Sequence, residues 1–337
     1  MTSFQTTSFG QTASAAPDAV GQPVSDADRF LREGHAEQAI QVLLPLSGKQ
    51  PGIPGVEANL GKAYYETRDL EPAAQHLREA LKQNGNDWES MQLLAIVSFG
   101  LGQVKDAESL LVAVIPHLPE GQADAQRLLG MCYLRTQDFD GARRAFARMF
   151  AVREDGAMSY FLLAKMMVGQ KMDDLAVQQL NKALELDSQM QMSHFMLGEI
   201  QLTRGDSATA LDEFQKELRV NPSLWLVYWR EGEALMHLQR YAEAEVALKQ
   251  SLWLNDSFTG GYLMLGEVEL DRDDPNLARG FLERAVQLDP QNEFAHFFLG
   301  RAYQKLGMAE QARKEFEQQK ALREVKQEPA TSSPKDH

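Results

Sequence analysis

Disulfide chemistry is absent from this chain of 337 residues, because its one cysteine, Cys132, has no partner within the sequence. A lone thiol fits a reducing compartment, although exported proteins also exist without disulfides. Long apolar runs are missing as well: no stretch reaches the roughly 18 residues that a membrane-crossing helix needs. Positive charge is scarce. Thirty-four Lys and Arg stand against 48 Asp and Glu, a net charge of −14, whereas nucleic-acid affinity depends on Lys and Arg displacing condensed counterions. No nucleic-acid partner and no direct membrane insertion are therefore expected. The first 23 residues carry neither the basic nor the apolar region of a signal peptide, so the chain as written points to the cytoplasm. Ala13-Ser14-Ala15 would suit a cleavage site if translation began upstream, which keeps a periplasmic or exported protein in view.

Motifs that carry chemistry are lacking too. His35, His76, His117, His194, His237, His296 and His337 are scattered, and none has the HExxH or i, i+4 spacing of a zinc site on a helix. His194 and His296 fall at the same repeat position, which argues for packing. The stretch from Gly55 to Ala63 looks like a phosphate-binding loop, but it has one residue too many before Gly61-Lys62 and lacks the following Ser or Thr. Cys132 lies inside a helical pattern, where a buried thiol acts as a small hydrophobe. Met166, Met167, Met190, Met192 and Met196 read as core filler. No catalytic residue, metal site or cofactor is expected, and the protein is not expected to be an enzyme.

What is present is a repeat. Ala39, Ala73, Ala107, Ala142, Ala176, Ala210, Ala244, Ala278 and Ala312 follow one another at 34 residues, with a single step of 35 between Ala107 and Ala142. Twelve residues before each stands another small residue: Ala27, Gly61, Ala95, Gly130, Ala164, Gly198, Gly232, Gly266 and Gly300. Four residues after each alanine stands a large apolar one: Leu43, Leu77, Leu111, Phe146, Leu180, Phe214, Leu248, Leu282 and Phe316. The i, i+3, i+4 spacing in each half is helical, Gly34, Gly102, Gly205 and Gly307 mark turns between halves, and Pro51, Pro119, Pro222 and Pro290 close units. Each unit thus reads as two antiparallel helices, the small side chain of the first admitting the large one of the second.

This pattern resembles the tetratricopeptide repeat, most fully in the last unit, where Leu299-Gly300, Tyr303, Ala312 and Phe316 match the family consensus. The resemblance implies an all-α fold, a right-handed superhelical solenoid of about nine helix-turn-helix repeats over residues 24–324, with starts near 20, 54, 88, 123, 157, 191, 225, 259 and 293. Segments 1–23 and 325–337 are expected to be disordered. Departures are Glu231, Gln201 and Glu269 at places where Leu or Tyr is usual, Pro45 interrupting a second helix, and a longer turn at Pro116-His117-Leu118-Pro119. The charged run from Arg313 to Glu328 reads as the solvent cap that a solenoid requires.

In the resembled family the concave groove is lined by first-helix residues three before and one after the small position. Carried over, these are Arg127, Phe161, Phe195, Trp229, Leu263 and Phe297, and Lys165, Glu199, Glu233, Glu267 and Arg301. The first row is apolar and largely aromatic from residue 161 on, and the second sets three glutamates in succession. A non-catalytic scaffold is expected, binding a protein or peptide with apolar and basic side chains. Two alternatives are the regulatory or targeting subunit of a separate enzyme, such as a glycosyltransferase, and an assembly factor of an envelope or secretion machine.

Overall fold

The computed structural model describes residues 18–49, 52–118 and 123–327. Among these the secondary structure is α-helix, with two short 3₁₀ turns and no strand, so the all-α fold class holds. The chain divides into two compact units, Met1–Asp155 and Gly156–His337. The first contains α1 (Asp18–Arg32), α2 (Ala36–Leu43), α3 (Val56–Glu66), α4 (Leu70–Gln83), α5 (Trp88–Gly100), α6 (Val104–Val114), α7 (Ala123–Thr136) and α8 (Phe139–Met149). The second contains α9 (Ala157–Gly169), α10 (Asp173–Leu186), α11 (Ser193–Thr203), α12 (Ser207–Val220), α13 (Trp225–His237), α14 (Tyr241–Leu254), α15 (Thr259–Asp271), α16 (Pro275–Leu288), α17 (Glu293–Lys305) and α18 (Ala309–Gln327). Within each unit every helix packs on the next, and several odd-numbered helices also touch one another, as α3 does α5 and α15 does α17. Each unit is therefore a stack of helix hairpins.

The hairpin turns share one backbone solution. The residue five before each repeat alanine is left-handed: Gly34, Arg68, Gly102, Gln137, Lys171, Gly205, Gln239, Asp273 and Gly307 all have φ between 59° and 76°, or 80° at Gly205. In every case the next residue donates its N–H to a carbonyl five back, as Asp69 does to Tyr64 at 2.8 Å and Arg240 to Leu235 at 2.9 Å, while the left-handed residue donates three back. This double bond satisfies two of the carbonyls that a helix end leaves open. The expected turn glycines thus sit where a positive φ is needed, but five of the nine turns hold a non-glycine residue. On the other side of several turns, aspartates cap the second helix: Asp138, Asp206 and Asp274 accept from the N–H groups of Gly141, Thr209 and Leu277.

The core lies between the two helices of a hairpin. Eight of the nine repeat alanines are wholly buried and Ala312 is 5% exposed. A Cβ added to Gly61, Gly232 or Gly300 would lie 2.5, 2.6 or 2.7 Å from Leu77, Leu248 or Phe316, and at Gly130, Gly198 and Gly266 it would come closer still to Phe146, Phe214 and Leu282. The small residue and the large one four after the alanine are therefore in contact, and the backbones approach because one of the two has no side chain. Wherever the large residue is Phe, the small one is Gly; opposite Leu it is either Gly or Ala.

Several local expectations were altered by packing. The helix α1 begins at Asp18, so the part of segment 1–23 that is described is helical rather than irregular. Burial of Ala27 and Leu31 against α2 and α3 carries it despite Pro23. Residues 1–17, including Ala13-Ser14-Ala15, lie outside the described residues, as do Pro51, Pro119 and 328–337. At the other end α18 runs through 325–327. Pro45 does end α2, converting it to a 3₁₀ turn at Leu44–Leu46, and Pro116 does the same to α6 at Ile115–His117. No helix among the described residues is long and apolar enough to cross a membrane.

Three substitutions probe this geometry. Gly198→Ala, against the ring of Phe214, should lower stability by about 2 kcal/mol, and Gly232→Ala, against the more adaptable Leu248, by about 1 kcal/mol or less. Urea unfolding reads the order, and equal losses would refute the close-contact account. Gln239→Gly should instead raise stability by roughly 0.5 kcal/mol, because removing Cβ strain at φ 60° outweighs the added unfolded-chain entropy.

Candidate functional site

The first helices of the second unit, α9, α11, α13, α15 and α17, each carry one residue three before and one after the small position. These are four apart, about one turn, and therefore share a helix face. Phe161 is half-buried and Lys165 exposed. Lys165 has no acidic partner among the described residues. Phe195 is not on offer to a partner: it is 8% exposed, belongs to the core cluster, and packs on Phe214 with ring centroids 5.9 Å apart. Trp229 and Leu263 are half-buried at the edge of the core, and Phe297 is 38% exposed. Arg127 lies in the first unit, exposed, with Asp124 at 3.5 Å.

The three glutamates do not form a uniform acidic ladder. Arg230, one residue beyond Trp229, reaches back to Glu199 with two contacts, Nε to Oε1 at 2.8 Å and Nη2 to Oε2 at 3.0 Å. It also meets Glu233 through Nη1 at 2.6 Å, and its guanidinium lies 4.3 Å from the Trp229 ring centroid. One arginine thus pairs with two glutamates from adjacent hairpins while stacking on an aromatic. Burial raises the Glu199 carboxyl above its ordinary range, and Arg230 opposes the rise. Arg230 stands outside the positions expected to line the groove. Its signal was legible as a base three before Glu233 and 31 after Glu199, at a position not counted among those facing the groove.

Glu267 differs. The places from which Arg230 serves its two glutamates, three residues before one and 31 after the other, are held around Glu267 by Met264 and Phe298. Glu267 has no hydrogen-bond or ion-pair partner among the described residues. Burial raises its carboxyl, Asp271 adds to the rise, and Arg301 and His237 oppose it. Arg301 lies over the rings of Phe297 and Phe298, 6.0 and 5.7 Å from their centroids.

Chemistry elsewhere is structural. His76 Nδ1 meets Glu57 at 2.7 Å, His194 Nδ1 meets Glu213 at 2.7 Å, and His296 Nδ1 meets Glu315 at 2.6 Å. Each pair joins the two helices of one hairpin at the same two repeat positions, with His and Glu exchanged in the first case. The packing role expected of His194 and His296 thus includes a hydrogen bond to a glutamate of the second helix. Burial alone would raise Glu57 and Glu213, but hydrogen bonds from their histidines and neighbours hold both below the usual carboxylate range. A cavity of about 630 Å³ beside Glu57 and His76 is lined also by the pair Glu79 and Lys82, by Arg78, which donates to Gln103, and by Glu71. Cys132 is buried, which pushes its thiol up to about 12. No group of three or more metal-ligating side chains occurs among the described residues. Among the residues that break the repeat pattern, Glu231 accepts from Gln215 at 3.2 Å and buried Glu269 has Arg272 at 3.4 Å.

Two family models, both of the tetratricopeptide repeat, match the sequence, one over residues 68–132 and 269–323, the other over 127–191 and 195–252. No curated protein matches. Solved structures that resemble the chain include MamA from Desulfovibrio magneticus RS-1, at 20% identity and TM-score 0.49 over 51% of this chain and 97% of that one. The C-terminal part of a TPR repeat-containing protein from Cytophaga hutchinsonii is 17% identical with TM-score 0.49, covering 68% of this chain and 93% of that one. YrrB, a TPR protein with an unusual peptide-binding site, is 21% identical with TM-score 0.48 over 54% and 94%.

Replacing Arg230 by Met should strand two partly buried carboxylates and cost roughly 1–3 kcal/mol at neutral pH. Glu199 already has a raised folded-state pKa, so its charged form is the destabilised one. Without Arg230 that pKa rises further, so the deficit should be full above the variant's Glu199 pKa and shrink as pH falls from there towards the parent's. Urea unfolding of both proteins from about pH 7 to about pH 5 tests this, with a pH-independent deficit as the contrary result.

Proposed function

Because the chain belongs to the tetratricopeptide repeat family, whose members generally serve as non-catalytic protein-interaction scaffolds, we propose that it holds another polypeptide on the first-helix face of its second unit. The observation that carries the reading is the row of apolar side chains on one face of successive helices, Phe161, Trp229, Leu263 and Phe297, which remain half-buried or exposed while their hairpin cores are closed. Apolar and aromatic groups left at a surface supply most of the energy of protein recognition. A face built from successive helices repeats its pockets along one direction, which suits an extended segment or one helix of a partner.

Charge enters this reading differently from the simplest sequence expectation. Arg230 lies within ion-pair distance of both Glu199 and Glu233, so these two already have a base beside them. Lys165 and Arg301 flank the row, and with Arg230 they balance the three glutamates. Apolar contact, not net charge, is then the main source of affinity.

The test is a triple variant, Phe161→Ser, Leu263→Ser and Phe297→Ser, chosen to spare Phe195, which is closed in the core, and Trp229, on which Arg230 stacks. With an unchanged helical circular dichroism spectrum, capture of polypeptide partners by the variant should fall at least tenfold, in line with the loss of about 1–2 kcal/mol at several anchors. Unaltered capture would sink the proposal.

A further inference from the structure

The three glutamates on this face have identical repeat positions and unequal surroundings. Arg230 shows how the face accommodates a guanidinium: two contacts to a glutamate of the preceding hairpin, one to a glutamate of its own helix, and a stack on Trp229. Both positions that would bring such a group to Glu267 are apolar, Met264 and Phe298. What remains is a half-buried carboxylate with no ion-pair partner, on the helix of Leu263 and one repeat before exposed Phe297. Asp271, one turn further along α15, adds a second negative charge nearby. Arg301, whose charge opposes the rise at Glu267, lies over Phe297 and Phe298 and makes no contact with Glu267 within ion-pair distance.

From this asymmetry we infer that Glu267 is the charge-reading subsite of the face, taking one arginine or lysine of the bound polypeptide whose neighbouring residues are apolar. The inference rests on the first-helix face being the binding surface. A cation supplied by the partner completes at α15 the arrangement that Arg230 completes between α11 and α13. Its stem would lie on apolar side chains, while Glu199 and Glu233, already occupied, would contribute no selectivity. An unpaired, partly desolvated carboxylate discriminates strongly, because a partner without the cation leaves it unsatisfied.

The experiment uses the full chain and two dye-labelled pools of short extended peptides with apolar residues at alternate positions. One pool carries a single central arginine, the other citrulline, which keeps the shape and removes the charge. Fluorescence polarisation should give the arginine pool an affinity about tenfold higher. Glu267→Gln, with its helical spectrum unchanged, should bind both pools as the parent binds the citrulline pool, and Glu199→Gln should retain the preference. Equal binding of the two pools by the parent, or a preference that survives in Glu267→Gln, overturns the subsite and leaves the apolar face standing. Binding of neither pool overturns the face itself, and the subsite with it.

Discussion

Everything in this protein depends on two helices coming close enough for one to press a large side chain into a place where the other has almost none. A hairpin whose first helix presents Gly198 can bring the ring of Phe214 against bare backbone; a methyl group there would overlap that ring. Close packing of this kind matters because dispersion and burial both fall away steeply with separation. The separation between the helices sets where the outer faces lie, and so where first-helix residues such as Leu263 and Glu267 stand relative to their counterparts in the next hairpin. A hairpin alone exposes its flanks, and stacking covers them, which is why stability accumulates along each unit instead of residing at one centre.

The electrostatics sit on this frame and follow a different logic. Partly buried His–Glu hydrogen bonds between the two helices of a hairpin, such as His194 with Glu213, recur at fixed positions and tolerate exchange of the two residues, since Glu57 with His76 is the same contact reversed. Between hairpins, Arg230 works as a bridge that secures two carboxylates at once. Burial disfavours the charged carboxylate and a matched donor restores it. Glu213 lies on the favourable side of that balance, and Glu267 on the other.

The helix pairing, its period and its core were legible because they depend on side-chain size at fixed spacing, and size is written in the sequence. Ala39 and its eight counterparts needed no tertiary knowledge. The groove was legible only in outline. Position alone put Phe195 beside Phe297, yet one is sealed against Phe214 in the core and the other stands 38% exposed. Position also treated Glu199, Glu233 and Glu267 as equals. What separates them is a base in the neighbouring hairpin, a through-space relation that no single repeat contains. The start of α1 was misjudged for a similar reason: Pro23 weakens the local helix, and contacts made by Ala27 and Leu31 outweigh it.

The one irregular step in the series places its extra residue informatively. From each small residue to its alanine the count is twelve in all nine repeats, including Gly130 to Ala142, so the additional residue falls between hairpins, in the link after α6. Within a hairpin the count is locked at both ends, by the left-handed turn and by the packed pair that straddles it, and any insertion would rotate one helix out of contact. The links bear no such constraint. Tolerance to changes in length, and with it the freedom to gain loops or duplicate whole modules, is therefore concentrated at the junctions between hairpins.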